Sequence, residues 1–180
     1  MKKVKGFTLI ELLIVVAIIG ILAALLIPNA ITAIQKSKQK GTMKDIVTIA
    51  TGAADFITDQ GAWDNAGVTH SGDLQNNDSF ITALAPFYLK VCPVNDQWGE
   101  PFKVYLGTAV SSVRNIQSTD IGDDDFLIES HGRDNTSDGW NYSASAPTAG
   151  MYIVDSMDDF KNDLVNWSGS WIRAPRTAVQ

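Results

Sequence analysis

The chain has 180 residues and a mass of 19.5 kDa, room for one ordinary domain and little more. Its 14 Lys and Arg against 20 Asp and Glu give a net charge of −6, unevenly spread: residues 1–40 hold six lysines against the single acid Glu11, leaving 8 basic and 19 acidic groups downstream. Such an acidic bulk repels phosphate backbones and argues against a nucleic-acid-binding role for most of the molecule, the lone Cys92 excludes an intrachain disulfide, and His70 and His131 lack the spacing of a zinc pair. Neither a GxSxG elbow nor a Walker loop occurs, so the chain reads as a non-enzyme.

Residues 1–6, Met-Lys-Lys-Val-Lys-Gly, precede 21 residues, Phe7 to Ile27, whose only ionisable side chain is Glu11. About 20 apolar residues cross a hydrocarbon core, whereas a cleaved secretory signal has an apolar stretch of about 7 to 15. The run therefore reads as a membrane anchor over residues 7–27. Lys2, Lys3 and Lys5 favour a cytoplasmic leading end, although Lys36, Lys38 and Lys40 beyond the far end reduce the asymmetry.

Glu11 is the anomaly, because a charge at the centre of a membrane helix costs roughly 2.5–3.5 kcal/mol on insertion scales. Two compensations are open to it. Five residues into the run, it reaches headgroups in a lipid-embedded monomer. Alternatively, cleavage after Gly6 gives Phe7 a free amine, and Glu11 of one subunit pairs with that cation on a neighbour.

The stretch Lys5-Gly6-Phe7-Thr8-Leu9-Ile10-Glu11-Leu12-Leu13-Ile14-Val15-Val16 resembles the leader and first helix of type IV pilins and pseudopilins. The resemblance implies a leader, residues 1–6, removed after Gly6 by a membrane prepilin peptidase, an N-methylated Phe7, and an assembly role for Glu11. Pro28 matches a family position as well, and it predicts a kink or local melting because it lacks an N–H and crowds the preceding turn.

Beyond Pro28 the helical period continues through Ile31, Ile34, Met43, Ile46, Val47, Ala50, Ala53, Ala54 and Ile57. It predicts an amphipathic second half over residues 28–60, weakened at Gly41 and Gly52 by about 1 kcal/mol each and stopped near Asp59-Gln60-Gly61. A head domain, residues 61–180, must cover its apolar face. Within the head, Pro101–Leu106, Phe126–Glu129, Met151–Val154 and Leu164–Ile172 are β-prone, whereas residues 65–77 and 143–150 read as exposed loops. The expected fold class is α+β, a long N-terminal helix packed on a small antiparallel sheet.

Three head segments extend the resemblance. Asp96-Gln97-Trp98-Gly99-Glu100-Pro101-Phe102 is similar to the DxWGxPF/Y signature of major pseudopilins, Ser130-His131-Gly132-Arg133-Asp134-Asn135 to their SxGxDG turn, and Asp163-Leu164-Val165-Asn166-Trp167 to their DIxNW strand. Asn135 and His131 depart from that turn.

From Asp134 to Gly139, oxygen-bearing side chains stand at the first, third and fifth positions and Gly at the sixth, as in the start of an EF-hand loop, but the twelfth position is Ser145. By pattern alone this is a solvated turn. The resemblance implies calcium, held through Asp134, Ser137 and Asp138. Asp123-Asp124-Asp125 reads as a charged turn, the five tryptophans as core or subunit packing rather than a sugar platform, and Cys92 as a small buried apolar residue.

The implied function is that of a structural subunit in an envelope-anchored helical filament, foremost the major pseudopilin of a type II secretion system. The head would lie in the periplasm and the anchor in the bacterial inner membrane. The implied partners are further copies, minor pilins or pseudopilins, the prepilin peptidase, and an inner-membrane platform protein with its cytoplasmic ATPase. A type IV pilin, serving adhesion, motility or DNA uptake, is the alternative, disfavoured by the single cysteine. A monomeric signal-anchored periplasmic binding module built on the tryptophans is the third.

Overall fold

The structure, a computed structural model, describes residues 6–176; Met1 to Lys5, most of the expected leader, lie outside the described residues. It divides into one unit ending at Ser37 and a second beginning at Lys38.

Helix α1, Leu9–Gln60, passes through both. In the first unit its side chains are exposed all round, with Leu9 81% and Leu26 65% accessible. A uniformly aliphatic helix in that state needs an apolar environment from lipid or from other chains. It is the one helix among the described residues long and apolar enough to cross a membrane. Pro28 does not melt it: helix continues on both sides, with Asn29 Nδ2 donating to the Leu25 carbonyl (3.4 Å) and Thr32 Oγ1 to that of Pro28 (3.1 Å).

In the second unit α1 buries Ile46, Ile49, Ala50, Ala53 and Phe56. This face is turned from the expected one, since Val47 and Ala54 are exposed while Gln39 and Thr42 are buried. Close packing at the two glycines accounts for the turn. A Cβ on Gly52 would come within 2.6 Å of Leu89 Cγ, and one on Gly41 within 2.8 Å of Gln97 Cγ, so these residues admit neighbouring side chains against the helix. Gly61, at φ +83°, follows the last turn and donates to the Ile57 carbonyl (2.8 Å).

Six strands form the sheet: β1 (Ser71–Asp73), β2 (Lys103–Leu106), β3 (Phe126–Ser130), β4 (Met151–Tyr152), β5 (Leu164–Trp167) and β6 (Ser170–Pro175), in the order β1-β2-β3-β5-β6-β4. Pairing is antiparallel except between β4 and β6, which is parallel, so the sheet is mixed rather than purely antiparallel. The expected run Leu164–Ile172 breaks into the hairpin β5–β6 because Ser168 (φ 44°) and Gly169 (φ 86°) both take left-handed conformations, as a tight two-residue hairpin turn requires. Strand β1 lies within residues 65–77, expected to be loop, and a short helix α2, Ser79–Leu84, follows that segment.

Both sheet faces are covered. Val104, Phe126, Ile128 and Leu164 belong to the same core as the buried face of α1, together with Phe80, Leu84, Phe102 and Trp63; Trp63 stacks on Phe56 with centroids 5.0 Å apart. Leu127, Val165 and Ile172 form a second core with Val110 and Ile116, flanked by Trp140, Tyr142 and Trp167. Strand alternation therefore sends Glu129, two residues after Leu127, toward that second layer.

Candidate functional site

At the leading end, Thr8 and Glu11 form a capping box. The Thr8 backbone N–H donates to Glu11 Oε2 (2.8 Å), its hydroxyl donates to the same oxygen (2.6 Å), and the Glu11 N–H donates to Thr8 Oγ1 (3.3 Å). The T-x-x-E spacing signals this arrangement, and sequence reasoning that dwelt on the charge of Glu11 missed it. Phe7 is 75% exposed, and a Cβ on Gly6 would meet open space, so the Gly6–Phe7 bond lies clear of packed structure.

In the head, the three motif segments converge. The buried Asp96 carboxylate receives the backbone N–H groups of Trp98 (2.8 Å), Gly99 (3.0 Å) and Glu100 (3.1 Å) on Oδ1, and the Ser130 hydroxyl (2.7 Å) on Oδ2. Ser130 Oγ in turn accepts from the Gly132 N–H (3.2 Å). Asn135 Nδ2 donates to Glu100 Oε2 (2.8 Å), and Asn135 itself sits in the left-handed region (φ 50°), which Asn tolerates where the similar motif has Gly. Gly132 (φ 65°) lies so close to the chain entering the third motif that a Cβ would come within 2.7 Å of the Phe160 carbonyl and 2.9 Å of that of Asn162.

Beside this junction lies a network of buried charge. Arg114 is 8% exposed, Glu129 2% and Asp163 0%. Arg114 Nε donates to Glu129 Oε2 (2.9 Å), Nη2 to Asp163 Oδ2 (2.6 Å) and Nη1 to the Trp140 carbonyl (3.2 Å), with Asp138 Oδ1 3.5 Å from Nη1. Arg173 Nε donates to Asp138 Oδ2 (2.5 Å), and its guanidinium lies 5.4 Å from the ring centroids of both Trp140 and Tyr152. Asp138 and Asp163 also exchange backbone bonds: the Asp138 N–H donates to Asp163 Oδ2 (3.0 Å), and the Asp163 N–H to Asp138 Oδ2 (3.1 Å).

Burial raises the proton affinity of all three carboxyls, with different outcomes. For Glu129 the His131 ring, 3.0 Å from Oε1, and Arg114 outweigh burial and hold it below the ordinary range. For Asp138 burial is outweighed by the Trp140 and Asp163 N–H groups and by Arg173, again lowering it. In Asp163 burial prevails, reinforced by Asp138, and pushes the carboxyl up to about 6; its Oδ1 is buried without a hydrogen-bond partner.

These contacts decide how the loop suits calcium, which takes 6–8 oxygen ligands at 2.3–2.6 Å. Both Asp138 oxygens already accept hydrogen bonds and face two guanidinium groups. Ser137 Oγ donates to Asp163 Oδ2 (3.4 Å), and Asp134 Oδ1 accepts from the Thr136 N–H (3.3 Å) in an exposed turn. Among the described residues no group of three or more His, Cys, Asp and Glu side chains is placed to hold a metal ion. The residues present do not fit a calcium ion.

Other candidates fall to structural roles. Asp125 accepts from Trp167 Nε1 (3.1 Å) and the Gly122 N–H (2.8 Å), bracing the acidic turn, while Asp123 and Asp124 are exposed. The tryptophans are dispersed: Trp63 lies in the core against α1, and Trp140 and Trp167 flank the second core. Cys92 is buried, and burial pushes its thiol up to about 11. Arg114 and Arg173 escaped sequence reasoning, since nothing in the local pattern links a loop arginine to carboxylates 15 and 49 residues away.

The chain is similar in sequence to known proteins. A family model described as the prokaryotic N-terminal methylation motif matches residues 1–27. The type II secretion system core protein G of Pseudomonas aeruginosa is 31% identical over 120 residues, covering 65% of this chain and 83% of that protein. The core protein G of Aeromonas hydrophila is 28% identical over 109 residues, 57% of this chain and 73% of that one. The type IV major pilin protein PilA of Myxococcus xanthus is 48% identical over 56 residues, 31% of this chain but only 26% of the pilin. No solved structure is significantly similar to the chain.

Proposed function

This chain belongs to the family of type IV pilins and type II secretion pseudopilins, and from that premise we propose that it is the major pseudopilin of a type II secretion system. It is a structural subunit without an active site of its own. The observation that carries the reading is the junction in the head, where Asp96 binds Ser130 and Gly132 abuts residues 160–162, bringing the three pseudopilin-like segments together. Similarity over 120 and 109 residues to core protein G proteins, against 56 for the Myxococcus pilin, supports the same choice.

In this reading the prepilin peptidase removes residues 1–6 and methylates Phe7. The helix over residues 7–27 stores the subunit in the inner membrane with its head in the periplasm. Assembly moves that helix from lipid into the filament, where Glu11 meets the Phe7 amine of a neighbour. Work for extension comes from a separate cytoplasmic ATPase acting through a membrane platform, and minor subunits cap or initiate the filament. The dispersed tryptophans argue against a monomeric sugar-binding module.

Deletion of the gene followed by complementation tests the assignment. Loss of exported folded proteins from the medium, with surface pili intact, is the expected result. Loss of surface pili with secretion intact would instead make the chain a type IV pilin.

A further inference from the structure

We infer that Arg114 and Arg173 clamp the long loop between β3 and β4, so that this head keeps its loop without a bound divalent cation. Residues 135–150 contain no helix or strand, and such a segment needs ties to the scaffold to stay ordered. The two arginines supply the cationic ones, beside the Asn135–Glu100 and Asp138–Asp163 hydrogen bonds. Arg114 joins Glu129 of β3, the Trp140 carbonyl in the loop and Asp163 at the entrance to β5. From β6, Arg173 holds Asp138 in the loop and Asn162 Oδ1 (3.3 Å) before β5, while its guanidinium lies against Trp140 of the loop and Tyr152 of β4.

Charge makes this arrangement and a cation mutually exclusive. Of the four carboxylate oxygens of Asp138 and Asp163, three accept hydrogen bonds, leaving Asp163 Oδ1. A cation ligated by Asp138 would sit against the same guanidinium groups that neutralise it, and Asp138 and Asp163 together offer it one carboxylate oxygen not already accepting a hydrogen bond. Planar forks suit the task better, since each satisfies several oxygens with directed donors.

The test uses the full chain in detergent. Thermal unfolding followed by circular dichroism is compared in 5 mM calcium and in excess chelator, with terbium emission sensitised by tryptophan excitation as a direct probe of binding. The melting midpoints should agree within about 1 °C, and terbium emission should match that of buffer. A site half-filled near 0.1 mM would raise the midpoint by roughly 5–9 °C at that calcium concentration; a rise of that size, or saturable terbium emission, overturns the inference. Arg114→Met and Arg173→Gln should each lower the midpoint well below that of Arg133→Met, a control in the same loop. Midpoints for both variants equal to the control would equally overturn it, and if Arg114→Met does not fold, Arg173→Gln and the calcium comparison decide.

Discussion

The Glu11 carboxylate closes onto Thr8, taking the backbone N–H and the hydroxyl of that residue on one oxygen. A single chain thus satisfies part of the Glu11 charge locally. The capping box and the proposed intersubunit pair with the Phe7 amine make separable demands on residue 11: the box needs a side-chain acceptor, and the pair needs a negative charge.

Glu11→Gln separates them. Gln retains a box acceptor, so the first turn of α1 should keep its amide protection in hydrogen exchange, while filaments fail to form for want of the charge. Thr8→Ala should show the reverse, a frayed first turn costing about 1 kcal/mol with filaments still assembled. Electron microscopy of filaments from each variant checks the pair. Normal filaments from Glu11→Gln would remove the charge from the assembly mechanism.

Asp96 should be the most sensitive polar side chain of the motif junction. Asp96→Ala removes at once the side-chain acceptor of three half-buried backbone N–H groups, of which that of Gly99 keeps a second acceptor in the Asp96 carbonyl, and of the buried Ser130 hydroxyl, an expected loss of about 2–4 kcal/mol. Ser130→Ala removes one donor to that carboxylate and one acceptor for Gly132, an expected loss of about 1–2 kcal/mol. Because the two share a bond, the double variant should lose less than the sum. Denaturant unfolding of the four proteins measures the coupling, and strict additivity would mean the bond carries no stability.

How much of this was legible in the sequence follows the range of the interactions. The end of α1 at Gln60 could be read locally, because the period and the Gly61 stop lie within one segment. Its buried face could not, because Gly41 and Gly52 look like weak helix formers until Gln97 and Leu89, far along the chain, are seen packing against them. Strand β1, Ser71-Gly72-Asp73, carries no apolar signal and exists through its register with Lys103–Tyr105. Arg114 is the extreme case: a left-handed residue (φ 55°) in an irregular segment, it acquires meaning only when folding brings Glu129 and Asp163 to it. The motif residues were legible, whereas the charges that fix them were not.

Two glycines in one loop, alike in backbone conformation, should respond differently to alanine. Gly132 (φ 65°) and Gly139 (φ 71°) are both left-handed, but a Cβ at Gly139 meets open space while one at Gly132 collides with backbone carbonyls. Gly139→Ala should cost about 1–2 kcal/mol, the conformational penalty alone. Gly132→Ala adds an overlap that only backbone movement relieves, and should cost on the order of 3 kcal/mol or more. Melting midpoints of the two variants decide it; equal losses would mean that residues 160–162 yield freely.

Acid titration should reveal the opposed carboxyls of the buried network. Asp163 is raised to about 6 by burial, so its folded form takes up a proton that the unfolded chain accepts only near its ordinary value of about 3.9. Its contribution is therefore greatest below that value and is lost as pH rises through 6. Glu129 and Asp138 have the opposite sign: both are depressed in the fold, and the stability they provide above their ordinary range disappears as pH falls through their folded values. Stability should rise from pH 7 to about pH 5 by on the order of 1–2 kcal/mol from Asp163 and then collapse in stronger acid. Asp163→Asn isolates the first limb, because Asn keeps an acceptor for Arg114 but cannot titrate. Its melting midpoint should be flatter than that of the unaltered chain between pH 7 and 5, with the acid collapse retained. Parallel curves over that interval would show that Asp163 stays ionised in the fold and that Arg114 compensates its burial in full.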